Sequence, residues 1–275
     1  MGDKKAGQEL LPLTVWLCPD RPEEETAGEP SCVRHRGTVG VELARHLLNV
    51  CTGNEGMVVD AFAAGEAVTA ASVRAGRRAV ACVPHFPLAQ RIQERLARTL
   101  TEEERDRVLL RPCLPDHLCQ GLADLASEVD LVIGAPPVVG LGGDPSGGRR
   151  DPGCAACRWD VRTLDTARRH AFLDSAARVL KPGGHVAVVT TARYAQGRLF
   201  DLAPRIVRNA RRAGLRYVQH AIAIRVPIDG DVLVVQAGPD DLAQLRDPQE
   251  TMLPPVVSLH ADVCLFTKPR GGVDD

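Results

Sequence analysis

From Gly56 onward the chain alternates short β-branched runs with stretches whose apolar residues recur at helical spacing, and this alternation leaves few folds open. The run "GMVVD" stops at Asp60 and gives way to the small-residue helix pattern of "GEAVTAASVRAG". "RRAVACV" (77–83) precedes the helical "PLAQRIQERLARTL", "RVLLRP" (107–112) follows, and "DLVIGAPP" (130–137) halts at a double proline. A helix predicted from about Leu164 to Leu180 then meets Pro182-Gly183-Gly184, a turn that ends it, and the strand "HVAVVTTA". Parallel strands need long crossovers, and helices between them supply these. The pattern therefore predicts an α/β fold, a doubly wound and mostly parallel sheet.

Upstream, "VGVELARHLLNVC" has helical spacing. Downstream comes the helix "LFDLAPRIVRNARRAG" and then "LRYVQHAIAIRV", "DVLVVQAG" and "DVCLFTKP". Three strand candidates with little helix between them predict an antiparallel C-terminal hairpin closing one sheet edge. The chain has 275 residues, of which 44% are hydrophobic and 25% charged, which suits one well-buried domain. The expected organisation is an irregular N-terminal arm over 1–37, a single domain over 38–270 and a disordered tail over 271–275. "GLGGDPSGGRRDPG" (140–153) and the acidic "CPDRPEEETAGEPSC" read as flexible segments.

A net charge of −1 gives no global attraction to nucleic acid, so any such contact needs a local arginine patch, and 3% aromatic residues leave few rings for base stacking. No stretch reaches the roughly 18 apolar residues of a membrane span, and "MGDKKAGQELLPLTV" lacks the apolar run of a secretory signal. A cytoplasmic protein without membrane contact is expected. Nine cysteines, mostly single and inside apolar runs, fit small buried hydrophobes in a reducing compartment, with no disulfides expected.

The ordered set "TVWL" (14–17), "DAFAAGEAVT" (60–69), "GAPPV" (134–138), "RVLKPGG" (178–184) and "ADVCLFTKP" (261–269) resembles the S-adenosylmethionine-dependent methyltransferases of class I. More narrowly it resembles their small actinobacterial amino-group DNA members, which methylate adenine N6 or cytosine N4. The resemblance spans nearly the whole chain and implies a seven-stranded Rossmann-like sheet with S-adenosylmethionine as cofactor. It also places the cofactor positions at Asp60, Ala61, Phe62, Gly65 and Glu66 after the first strand and at Val83 and His85 after the second. The catalytic positions fall on Ala135, Pro136, Pro137 and Val138.

This chain departs from the family pattern at those positions. Glu66 stands where the family has its second loop glycine; a carboxylate there would face the cofactor's own, two like charges about 4 Å apart repelling by roughly 1–4 kcal/mol. The other reading of Glu66 is an acidic residue at a helix N-terminus. Val83 stands where an acid would accept hydrogen bonds from the ribose hydroxyls, leaving His85 as either a substitute acceptor or a plain loop histidine. In "APPV", Ala135 replaces the side chain that accepts the amine protons and Val138 replaces the ring that stacks on the flipped base, so only backbone carbonyls remain.

Trp159-Asp160 lies where family members often carry a Trp-Asp pair and is a candidate substrate contact, or simply a packed indole with a helix cap. Arg149 and Arg150, with Arg158, are candidates for touching phosphates of DNA. Cys154 and Cys157 have the spacing of half a zinc site, with Cys18, Cys32 or His35 as further ligands. Three chemical positions fail together while the scaffold landmarks survive. The expectation is a catalytically degenerate methyltransferase-like protein, a pseudoenzyme acting as a binding or regulatory subunit for a protein partner. The alternatives are an active methyltransferase on DNA or another acceptor, and a nucleotide-binding protein without methyl transfer.

Overall fold

The computed structural model describes residues 14–19, 39–136, 166–191, 193–195, 198–226, 228–230, 232–233 and 260–271. Its strands are β1 (Val15–Leu17), β2 (Met57–Asp60), β3 (Arg78–Cys82), β4 (Val108–Arg111), β5 (Val129–Gly134), β6 (Leu180–Thr190), β7 (Arg193–Ala195), β8 (Arg198–Phe200), β9 (Arg216–Ile224), β10 (Ile228–Asp229), β11 (Val232–Leu233) and β12 (His260–Thr267). Its helices are α1 (Val41–Cys51), α2 (Ala67–Arg74), α3 (Phe86–Thr99), α4 (Glu102–Arg105), α5 (Leu118–Gly121), α6 (Thr166–Val179) and α7 (Ala203–Arg212).

β2 and β5 are buried along their whole length, as continuous apolar runs must be when helices cover both faces of a parallel sheet. The main sheet has eight strands in the order β1-β9-β12-β6-β5-β2-β3-β4. Every neighbouring pair is parallel except those of β12, which runs antiparallel to both β9 and β6. From β4 to β9 this is the Rossmann-like methyltransferase sheet expected from the sequence, and β1, drawn from the segment read as an irregular arm, adds the eighth strand.

Two details differ from the sequence reading. The antiparallel pair does not close an edge, because β12 inserts between β9 and β6 and β1 takes the edge. "ADVCLFT" carries the apolar run Val263–Phe266 and is buried from Ala261 to Thr267, which is the pattern of an interior strand. β9 alternates exposed and covered residues, as a strand near an edge does. The candidate strand "DVLVVQAG" contributes only Val232–Leu233 among the described residues, paired with β10 in a separate two-stranded ladder.

The core lies in layers on the two faces. On one, Leu43, Leu47 and Leu48 of α1 pack over Val58, Leu131, Ile133, Ala187 and Val263. On the other, Phe172 and Leu173 of α6 and Ile206 of α7 cover Val59, Val132, Val186 and Phe266. Each such side chain contributes roughly 1.5–3 kcal/mol on leaving water. At the amino ends of the strands, Asp130 fastens three of them: its carboxylate accepts the Met57 N–H at 2.8 Å and pairs with Lys181. Gly183 beside it has φ +81°, and a Cβ on Gly184 would press on the carbonyls of Lys181 and Val129 at 3.0 Å, so Pro-Gly-Gly, expected as a turn, is a register break inside β6 that demands its glycines.

Candidate functional site

In an open α/β sheet the ligand crevice lies beyond the carboxyl ends of the strands, where the winding reverses. Here that point lies between β2, whose chain continues outward to β3, and β5, which continues the other way to β6. The loop after β2 is held down on the sheet. The Ala61 N–H donates to the Ile133 carbonyl at 2.9 Å, the Phe62 N–H donates to Asp60 Oδ1 at 3.2 Å, and Ala61, Phe62 and Ala63 are buried. Phe62 meets the edge of Phe172 with centroids 5.1 Å apart, and a Cβ on Gly134 would come within 2.5 Å of the Phe172 ring.

Gly65 is partly exposed, and Glu66 occupies the N-cap of α2 without making a side-chain cap bond. Its carboxylate instead meets Arg95 of α3 at 3.3 Å, each side chain only 18% exposed. Arg95, 29 residues on, thus places a positive charge beside the Glu66 carboxylate. Nothing in the local sequence signals that pair, since α2 and α3 must first pack on the sheet before the two side chains can meet.

Val83 is 2% exposed and belongs to an apolar cluster with Ala63, Ala70, Leu88 and Ile92. Its N–H donates to the Arg111 carbonyl at 2.8 Å, so the backbone at the end of β3 is spent on the sheet. His85 is buried at the N-cap of α3, where its carbonyl accepts the Ala89 N–H. At the end of β5, Ala135 and Pro136 are buried; Pro137 and Val138 lie outside the described residues, as do Arg149, Arg150, Cys154, Cys157, Trp159 and Asp160. Among the described residues no group of three or more His, Cys, Asp or Glu side chains could hold a metal ion. Cys18, offered as a further zinc ligand, is buried.

The fit of an adenosyl cofactor to these residues is therefore uneven. The β2 loop has its Asp60 and Gly65. At Val83, where the resemblance implies the ribose acceptor, the side chain is a buried valine without an oxygen.

Two polar arrangements near the crevice were not legible in the sequence. Asp116, in the short turn after β4, takes a two-pronged contact from Arg168 of α6 at 2.7 and 3.0 Å. Burial pushes its carboxyl upward, but the hydrogen bonds and charge of Arg168 prevail and hold it below the usual carboxylate range. At the carboxyl end of β6, Asp262 of β12 lies 2.8 Å from His220 Nε2 and 3.8 Å from His260 Nε2. Thr190, directly opposite Asp262, buries a hydroxyl that has no hydrogen-bond partner among the described residues.

No family model matches this chain, and no curated protein matches it. Among solved structures it is similar to TrmN from Thermus thermophilus, at 16% identity and a TM-score of 0.49 over 86% of this chain; the chain spans about half (51%) of that protein. It is also similar to a TehB-like SAM-dependent methyltransferase from Corynebacterium glutamicum, at 12% identity and TM-score 0.44, covering 85% of this chain and 89% of that one. A third is the 1,6-didemethyltoxoflavin-N1-methyltransferase of Burkholderia thailandensis, solved with S-adenosylhomocysteine, at 18% identity and TM-score 0.43 over 82% and 76% of the two chains. No described helix is long and apolar enough to cross a membrane.

Proposed function

We propose that this chain is a methyltransferase-like protein whose crevice no longer seats an adenosyl cofactor firmly, and that it acts as a binding or regulatory subunit. The carrying observation is Val83, 2% exposed inside an apolar cluster at the end of β3, where the resemblance puts the acid that holds the ribose. A missing acceptor costs on the order of 1–3 kcal/mol per hydroxyl, and two hydroxyls are affected. Buried Ala135 supports the same reading on the acceptor side: an exocyclic amine would find backbone carbonyls there and no side-chain oxygen. Relationship to the amino-group DNA methyltransferases, and contact with DNA through Arg149 and Arg150, belong to this proposal.

Calorimetric titration with S-adenosylhomocysteine tests it. No heat at millimolar ligand is the expected result, and saturable binding in the micromolar range would overturn it. The Glu66–Arg95 pair favours a second reading, an active methyltransferase, because it removes the like-charge objection at the methionine end. Micromolar binding together with methyl transfer to genomic DNA would establish that reading in place of the first.

A further inference from the structure

We propose that Cys82 and Cys113 form an oxidisable dithiol, a modification site at the rim of the crevice that a hydroperoxide converts to a disulfide. Cys82 ends β3, and Arg111, its partner in the parallel ladder, ends β4. The chain then turns back sharply, with the Cys113 N–H donating to the Arg111 carbonyl at 2.8 Å. That turn keeps Cys113 beside the strand end it has just left. Both thiols are buried in one apolar cluster with Leu118 and Leu122, and Cys113 Sγ also faces the carbonyls of Leu114 at 3.3 Å and His117 at 3.5 Å. Cys113 stands two residues past Arg111, the ladder partner of Cys82, and the turn folds it back into the same apolar cluster as Cys82, the neighbourhood a disulfide requires.

The surroundings divide the labour between the sulfurs. The neighbouring Cys82 thiol, and then the backbone N–H of Gly121, lower the pKa of Cys113 against its burial. Cys82 is pushed well up by the neighbouring Cys113 and by burial. Gly121 sits so close that a Cβ there would lie 2.3 Å from the Cys113 sulfur, which explains a glycine in the last turn of α5. Cys113 is thus the more acidic of the two thiols and the one that reacts first, with Cys82 as the resolving partner beside it.

The chemistry balances with hydrogen peroxide as oxidant. Cys113 thiolate attacks one peroxide oxygen, the O–O bond breaks, and the departing hydroxide takes the Cys82 proton to become water. The Cys82 thiolate then attacks the Cys113 sulfenic sulfur, the S–S bond forms and a second hydroxide leaves; two electrons pass from the sulfur pair to peroxide. The new link ties the end of β3 to the turn carrying Asp116, a neighbour of the crevice on the side of Val83 and His85.

The test is a non-reducing tryptic peptide map of the full chain after peroxide treatment, using the wild type and the Cys119→Ser variant, because Cys113 and Cys119 share a peptide. The folded protein is expected to yield a Cys82–Cys113 cross-linked pair that dithiothreitol reverses and that is at least tenfold rarer when oxidation is done in guanidinium. Cys82→Ser should leave a Cys113 sulfenic acid trapped by dimedone, and Cys113→Ser should give neither product. Peroxide that oxidises the more accessible Cys119 while leaving Cys82 and Cys113 unlinked in the folded wild type would overturn the proposal, whether or not the serine variants fold.

Discussion

At the residue scale the crevice is governed by a few contacts in which one atom decides the outcome. A methyl group at Gly134 would stand 2.5 Å from the Phe172 ring and 3.5 Å from Phe62. Gly134→Ala is therefore expected to cost about 1–3 kcal/mol through overpacking, and pairing it with Phe172→Leu should return part of that loss; denaturant melts of the single and double variants check both. Val83 poses the complementary question. Val83→Glu places a carboxylate in an apolar cluster and is expected to destabilise the free protein, by at least about 2 kcal/mol in the same melts. If the crevice keeps the family's shape, that variant should also bind S-adenosylhomocysteine more tightly than the wild type, read by calorimetry. An affinity unchanged within twofold would show that Val83 does not occupy the ribose position. The strand ends that carry Val83 and Ala135 were legible in the sequence because each closes a short apolar run, Ala79–Cys82 and Leu131–Ile133, that reads as a buried strand. Arg95 was not, since its partner Glu66 is reached only across the packed α2–α3 surface.

Among the elements, polar fasteners join strands and helices that the apolar pattern alone leaves interchangeable. Asp130 holds β5 to β2 through the Met57 N–H and to β6 through Lys181. Asp130→Ala strands a backbone donor and a lysine together, so a loss of about 1–3 kcal/mol is expected, while Asp130→Asn should recover part of it by still accepting from Met57. The Asp116–Arg168 contact does the same for the turn after β4 and α6. Its pH dependence has a fixed sign. The Asp116 pKa is lowered from 3.8, so the contact's stabilisation is fully present above that value and is lost as pH falls through the lower folded-state pKa. Arg168→Met should flatten the fall in stability below about pH 4, as followed by urea melts at several pH values. These fasteners were not legible in advance, because each joins residues more than 50 positions apart. The strands themselves were legible, because a strand covered on both faces must be continuously apolar.

For the whole molecule, the sheet order follows from winding rules: the expected antiparallel C-terminal pair is there, as β9 and β12, but it lies inside the sheet instead of closing its edge. The connection from β6 through α7 to β9 skips a position, and β12, buried from Ala261 to Thr267, fills it. That insertion leaves β9 open on its far side, and β1 covers it with three residues. The short strand also brings Trp16, which is buried against the α1 layer and stacks on His46 at 5.7 Å. Trp16→Ala removes the anchor and is expected to cost about 3–5 kcal/mol, which for a chain of this size lowers the melting temperature by on the order of 10 °C. The edge then exposed on β9 carries Val218 and Ile222, each already partly in solvent. An unpaired apolar edge is a template for another chain, so the same variant should self-associate at concentrations where the wild type does not, seen as a rising sedimentation coefficient. Adding charge to that edge with Ile222→Lys should suppress the association without restoring the melting temperature, because it blocks edge pairing but returns none of the lost indole packing.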